Sequence, residues 1–271
     1  MELQFFCPRW GSESLSWADF ARKVRQAGFH GVECSLPLDD RKGTEEILGA
    51  LAAQGLQLIG QHWETTTADP LAHLREYRAH LEWVAAAKPL FINSQTGRDW
   101  FPAELNRRIL DVAAEVSAQT GVKIVHETHR AKFAYAAAVT AGFLRDDPQL
   151  RLTADFSHWC NVSESLLEDQ AESLALAIER TDHLHARVGH AQGPQVSDPR
   201  APEWQPAVEA HLTWWDKVFT RHQQAGAATF TVTPEFGPAP YMPALPYTAQ
   251  PVAEQWELNV HMMELLRERW V

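Results

Sequence analysis

Cysteine is scarce: the 271-residue chain holds only Cys7, Cys34 and Cys160. Three thiols without paired spacing argue against a disulfide framework or a thiolate zinc site, and suit a reducing compartment. Positive charge is in deficit as well. Lys and Arg number 24 against 35 Asp and Glu, a formal net charge of −11, with no lysine or arginine run to bind a phosphate backbone. Long apolar runs are missing too. The nearly uncharged stretch 134–144 falls far short of the roughly 20 residues that span a bilayer, and the opening MELQFFCPRW lacks the basic region of a secretory leader. These absences predict a cytoplasmic chain with neither a nucleic-acid nor a membrane partner, acting on a small polar molecule. Oligomeric state is not encoded in them, and a homo-oligomer is compatible with all of them.

The abundant types are informative in turn. Hydrophobic residues make up 45% and charged residues 22% of the chain, enough to bury a sizeable core, and 13 histidines and 11 tryptophans favour pockets that combine polar groups with stacking surfaces. Short β-rich runs at 3–7, 31–35, 56–61, 90–93, 122–127, 152–155, 183–188 and 230–234 alternate with amphipathic helical patterns at 17–27, 44–54, 71–86, 103–119, 134–144, 165–180, 208–225 and 252–270. Ser16 with Asp19 forms a capping box, and Gly28, Gly55, Gly121, Pro148 and Gly226 stop helices before strands. Strand starts recur at near-equal intervals up to the last. One β-α unit repeated eight times predicts an α/β fold, a (β/α)8 TIM barrel, as a single domain over residues 1–271. The extra length in the seventh unit, residues 190–207, is rich in Pro, Gly and Asp and is expected to form a lid or substrate loop.

In such a barrel chemistry sits at the C-terminal mouth, so polar residues that end strands matter. Strand two ends in Glu33, three in Gln61 and His62, four in Asn93, five in His126 and Glu127, and six in Asp155 with His158 nearby. Strand seven carries His183 and His185, and strand eight ends in Glu235. A lone strand-ending glutamate is ordinarily a solvated edge or an arginine partner. Acidic or imidazole ligands at the ends of four successive strands argue for an ion, because Glu127, Asp155 and Glu235 would repel one another in the same space. With His185, the histidine nearer the mouth, they offer three hard oxygens and one imidazole. That set suits a single divalent ion, manganese first, with magnesium, cobalt or zinc as alternatives. His183 is expected to orient a neighbour, and His126, opposite Glu127 by strand alternation, to face the helices. Glu33, His62 and Asn93 are candidate substrate contacts, and Trp10 and Trp63 are candidate stacking surfaces.

With those residues assembled, the chain resembles the xylose isomerase-like TIM barrels, the sugar phosphate isomerase/epimerase superfamily, over almost its full length. This superfamily includes hydroxypyruvate isomerases, ketose 3-epimerases, inosose dehydratases and type IV apurinic endonucleases. The resemblance rests on Glu127 within Val125-His126-Glu127-Thr128-His129, on the Asp-x-x-His of Asp155 and His158, on the His-x-His of His183 and His185, and on Glu235. It implies that Glu127, Asp155, His185 and Glu235 hold one divalent ion. It also implies that Glu127 and Glu235 move protons on opposite faces of a substrate, and that His158 touches a substrate oxygen. The implied activity is isomerisation or epimerisation of a sugar, sugar phosphate or polyol through a metal-stabilised ene-diolate, or dehydration within the same superfamily. The glutamate and arginine that ketose epimerases carry three and six residues after the strand-seven histidine are Val188 and Ala191 here. Arg187, His190 or an Arg200 brought back by the long loop could replace them, and an arginine would favour an anionic substrate. The alternative is an endonuclease-like phosphodiesterase using His62, Glu127, Asp155, His158, His185, Asp198 and Glu235, against which Asn93 and Arg200 stand where histidines are needed. A non-catalytic sugar-binding relative is the third reading.

Overall fold

The computed structural model describes residues 1–271. Its strands are β1 (Glu2–Pro8), β2 (Gly31–Cys34), β3 (Gln57–His62), β4 (Ile92–Ser94), β5 (Ile124–Glu127), β6 (Leu152–Ala154), β7 (Thr181–His185) and β8 (Thr229–Thr233). They lie in chain order, all parallel, and β8 pairs with β1 so that Phe5 stands beside Val232. Closure leaves no open sheet edge. The helices are α1 (Trp17–Gln26), α2 (Arg41–Ala53), α3 (Pro70–Ala86), α4 (Ala103–Thr120), α5 (Ala137–Asp146), α6 (Phe156–Ser163), α7 (Ala171–Arg180), α8 (Gln205–Gln224) and α9 (Gln255–Trp270). The expected (β/α)8 barrel is therefore present, with one helix more than the repeat requires.

Local chemistry explains the helix boundaries. Ser16 accepts the Asp19 N–H and donates back to the Asp19 carboxylate at 2.6 Å, which fixes the start of α1. The α1 side chains Phe20, Ala21 and Val24 are fully buried, and burial of such a phenylalanine or valine stabilises by about 1.5–3 kcal/mol. Gly121 ends α4 in the left-handed region at φ 71°, where a side chain would be strained.

The additional helix α6 corrects the reading of residues 152–165. Asp155 does not continue β6. Its carboxylate accepts the Ser157 N–H at 3.1 Å and caps α6, so the chain turns into a helix at once, and α7 starts later than the expected residue 165. Aspartate is among the strongest N-caps, and a short helix beginning on it competes with strand extension. Strand β7 likewise stops at His185, leaving Arg187 in the loop beyond. No helix is long and apolar enough to cross a membrane. The three cysteines are buried and unpaired.

Candidate active site

Glu127 is the last residue of β5, Asp155 follows β6 directly, His185 ends β7, and Glu235 stands just after β8. Parallel closure carries these four strand ends to one face. One ligand atom from each residue falls within 4.8 Å of all the others, and all four side chains are buried. Glu127 Oε1 and His185 Nδ1 lie 3.8 Å apart, and neither has a hydrogen-bond partner. His185 Nδ1 is also 2.9 Å from Glu235 Oε2, an ionic contact that lacks hydrogen-bond geometry. Buried polar atoms without partners cost free energy that a bound cation would recover. The donor set and these two orphaned atoms therefore fit a divalent ion.

Behind the cluster a second layer fixes its orientation. His185 Nε2 donates to Glu33 Oε1 at 3.0 Å, and Asn93 Nδ2 donates to the same oxygen at 2.8 Å. His183 reaches the other Glu33 oxygen at 3.2 Å and the Thr231 carbonyl at 3.0 Å, while the Thr233 hydroxyl donates to Glu33 Oε2 at 2.6 Å. The Glu127 Oε2 atom accepts from Gln95 at 3.2 Å and from Asn93 at 3.4 Å.

Electrostatics follow from this burial. Desolvation pushes the Glu127 carboxyl up to about 8; His185 opposes the rise, and Glu235 and Asp155 add to it. Desolvation also raises Asp155, with Arg187 opposing. Burial by itself would lower His185, yet the carboxylates of Glu235, Glu33 and Glu127 outweigh it and hold the imidazole well above its ordinary value. Glu33 moves the other way: burial would raise it, but His185 and His183 draw it well below the usual carboxylate range.

A cavity of about 680 Å³ opens above the cluster, a size suited to small-molecule binding. Glu235, Arg187, Gln61, Gln95 and His129 line its polar side, and Trp10, Trp17, Trp63 and Tyr241 supply aromatic surface. Among the expected substrate contacts, Arg187, Trp10 and Trp63 face this cavity. The others do not. Glu33 and Asn93 are buried behind His185, where Glu33 accepts from both Asn93 and His185. Gln61 turns toward Glu235, so strand alternation sends His62 outward, where its Nε2 meets the Thr65 hydroxyl at 2.8 Å and its ring packs on Tyr77 of α3. His126 faces the same outer layer, bonded to the Thr96 hydroxyl at 2.7 Å. His190 packs at a tilt against Trp204 and is absent from the cavity wall.

His158 lies beneath the wall, with its Nε2 accepting from Arg187 Nη2 at 2.8 Å. The Arg187 guanidinium also donates to Asp155 Oδ2, to the Ser157 hydroxyl at 3.2 Å and to the Glu235 carbonyl at 3.3 Å. Its two-pronged edge is thus consumed by protein groups, which counts against the expected pairing with an anionic substrate. Arg200 does not return to the mouth either; it pairs with Asp198 at the surface at 2.7 Å. With His62 turned outward and Asp198 paired elsewhere, the ligand set of the endonuclease alternative is not assembled.

The segment 190–207, expected to form a lid, is fastened down. The Val196 N–H donates to the Val188 carbonyl at 2.9 Å, and Gln195 bonds both the N–H and the carbonyl of Gly237 at 2.7 and 3.2 Å. None of its residues lines the cavity. Tyr241, from the loop between β8 and α9, lines the cavity instead, with its ring 4.8 Å from the Arg187 guanidinium. Tyr241, Gln95 and His129 were not singled out from the sequence. Tyr241 lies in a long loop without a motif, whereas the His129 position, two after Glu127, was the one available signal.

No family model matches the sequence, and a search of curated proteins finds no significant match. Solved structures do match over the whole chain. A D-allulose 3-epimerase from Methylomonas sp., in complex with D-allulose, is 16% identical with a TM-score of 0.64, covering 99% of this chain and 97% of its own. A xylose isomerase domain containing protein from Salmonella typhimurium is 12% identical with a TM-score of 0.63, covering 98% and 97%. The probable 3-DHS dehydratase AsbF, involved in petrobactin synthesis in Bacillus anthracis, is 17% identical with a TM-score of 0.61, covering 99% and 100%. The fold is that of the xylose isomerase-like barrels. At these identities the likeness is one of architecture, and the xylose isomerase-like fold hosts more than one reaction.

Proposed function

We propose that the chain is a divalent-metal-dependent isomerase or epimerase of a sugar, sugar phosphate or polyol. The observation that carries this reading is the convergence of Glu127, Asp155, His185 and Glu235, with two unpartnered ligand atoms, beneath a cavity lined by polar and aromatic groups. Glu127, Asp155, His185 and Glu235 would hold the ion, manganese being the first choice for three oxygens and one nitrogen. When bound, the ion would supply Lewis-acid polarisation of a substrate carbonyl.

The remaining steps belong to the protein. Trp10, Trp63 and Tyr241 would bind the carbon face of the substrate and exclude water. Glu235 faces the cavity with its Oε1 3.4 Å from Gln61 Nε2, and that oxygen would remove a proton from the carbon beside the carbonyl. Glu127 would return a proton from the opposite side. The solved neighbours include epimerases and a dehydratase, and the same two carboxyl groups could serve either outcome.

Metal analysis of chelator-free protein tests the ion: about one divalent ion per chain is expected, and Asp155→Ala should abolish it. Incubation with a panel of hydroxy-ketones in D₂O tests the proton transfer. Deuterium should enter the position beside the carbonyl, and Glu235→Gln should slow this by about 10²- to 10⁴-fold while substrate still binds. Binding of substrate without any exchange would point to the non-catalytic sugar-binding reading instead.

A further inference from the structure

Arg187 is fully buried within the ligand cluster itself, and this placement has a consequence for ion binding. Asp155 Oδ1 is committed to Ser157, accepting both its N–H at 3.1 Å and its hydroxyl. Only Oδ2 remains to serve an ion, and that oxygen already pairs with Arg187 Nη2. The same nitrogen lies 3.5 Å from Glu235 Oε2, a second ligand carboxylate. Guanidinium stays protonated at every relevant pH and cannot withdraw its charge. Four protein acceptors and the Tyr241 ring hold it in place, so it is not free to swing away as a surface arginine would.

We propose that Arg187 is the resident counter-cation of the cluster. It is a positioning residue that keeps Asp155 and Glu235 assembled when no ion is bound, and that competes with the ion for Asp155 Oδ2. The ion then binds a preformed cage, but less tightly than three carboxylates and an imidazole would hold it unaided. Asp155 and Glu235 are the two carboxylates that Arg187 touches, and without that cation between them they would repel one another strongly in so dry a site. This inference rests on the metal reading above for its affinity half; its charge-balance half stands without an ion.

The test uses the full chain, purified ion-free, with Arg187→Met, Arg187→Lys, Asp155→Asn and the double variant Arg187→Met/Asp155→Asn. Manganese affinity is read by competition with a chelating dye, and thermal stability is read without ion. Arg187→Met is expected to lower the ion-free Tm by several degrees, Arg187→Lys by less, since removing one partner of a buried pair leaves the other uncompensated. Arg187→Met should also bind manganese at least about tenfold more tightly, a gain that loss of a merely structural side chain would not produce. The double variant should recover stability relative to Arg187→Met, because it removes the carboxylate left unpaired. An Arg187→Met protein whose manganese affinity is unchanged or weaker overturns the competition. A double variant no more stable than Arg187→Met overturns the charge balance. Wild-type protein that takes up no ion overturns the metal reading, and the rescue comparison then decides the counter-cation role alone.

Discussion

Glu33 accepts the Nε2–H of His185 at 3.0 Å, and so fixes which nitrogen of that ring faces the acidic cluster. A carboxylate can only accept, so the proton stays on Nε2 and the Nδ1 lone pair is the one available to an ion. Glu33→Gln replaces that acceptor with an amide that can present either a donor or an acceptor. Metal affinity is expected to fall by about 10- to 100-fold, the usual cost of removing a hydrogen-bond partner from a ligating histidine. Chelator competition on wild-type and variant protein measures it, and an unchanged affinity would show that the ring is held by its packing alone.

Ion uptake should release protons. Without an ion, Glu127 is pushed up to about 8 and His185 is held well above its ordinary value, so both carry protons at neutral pH that a ligand must shed. Affinity is therefore expected to rise with pH through the neutral range. Calorimetric titration with manganese in two buffers of different ionisation enthalpy counts the protons directly, and identical heats in both buffers would contradict the prediction.

Acid should destabilise the fold before most carboxylates titrate. Burial lowers His126 to about 3 and His211 to about 4, from an ordinary 6.5. The folded state keeps these rings neutral, whereas the unfolded chain binds their protons once the pH drops below about 6.5. The unfolded state then holds more protons, so stability is complete above that pH and is lost as the pH falls toward 4 and then 3. Thermal melts from pH 7.5 to 4 should show a falling Tm, and His211→Gln should flatten the slope. A Tm that is level across this range would refute it.

Trp10 and Gly237 are packed too closely for any side chain at position 237. A Cβ built there would lie 2.0 Å from the Trp10 ring, and both backbone polar groups of Gly237 are bonded to Gln195. Gly237→Ala is expected to displace Trp10 from the cavity wall and to cost about 1–3 kcal/mol of stability through overpacking. Tryptophan fluorescence, its quenching by bound polyol and denaturant melts would register both effects.

Much of this architecture is legible in the residues. Eight β-rich runs, near-regularly spaced up to the last and alternating with amphipathic stretches of which five end in a stop signal, indicate parallel strands with helical crossovers, and eight such units in about 250 residues favour closure into a barrel. Glu127, Asp155, His185 and Glu235 stand out because a carboxylate or imidazole ending a strand is conspicuous against apolar neighbours. What the residues do not reveal is direction. His62 and Gln61 are adjacent, and only the register of β3 decides that Gln61 faces the cavity while His62 packs on Tyr77.

Periodicity along one chain thus determined the barrel and marked four acidic or imidazole side chains at successive strand ends, since both depend on local spacing. Tertiary structure alone decided that Glu33 supports His185, that Arg187 sits among the clustered carboxylates, and that Tyr241 and Gln95 join the site. Those relationships connect residues far apart in the chain through strand register and loop packing, and no local pattern carries that information.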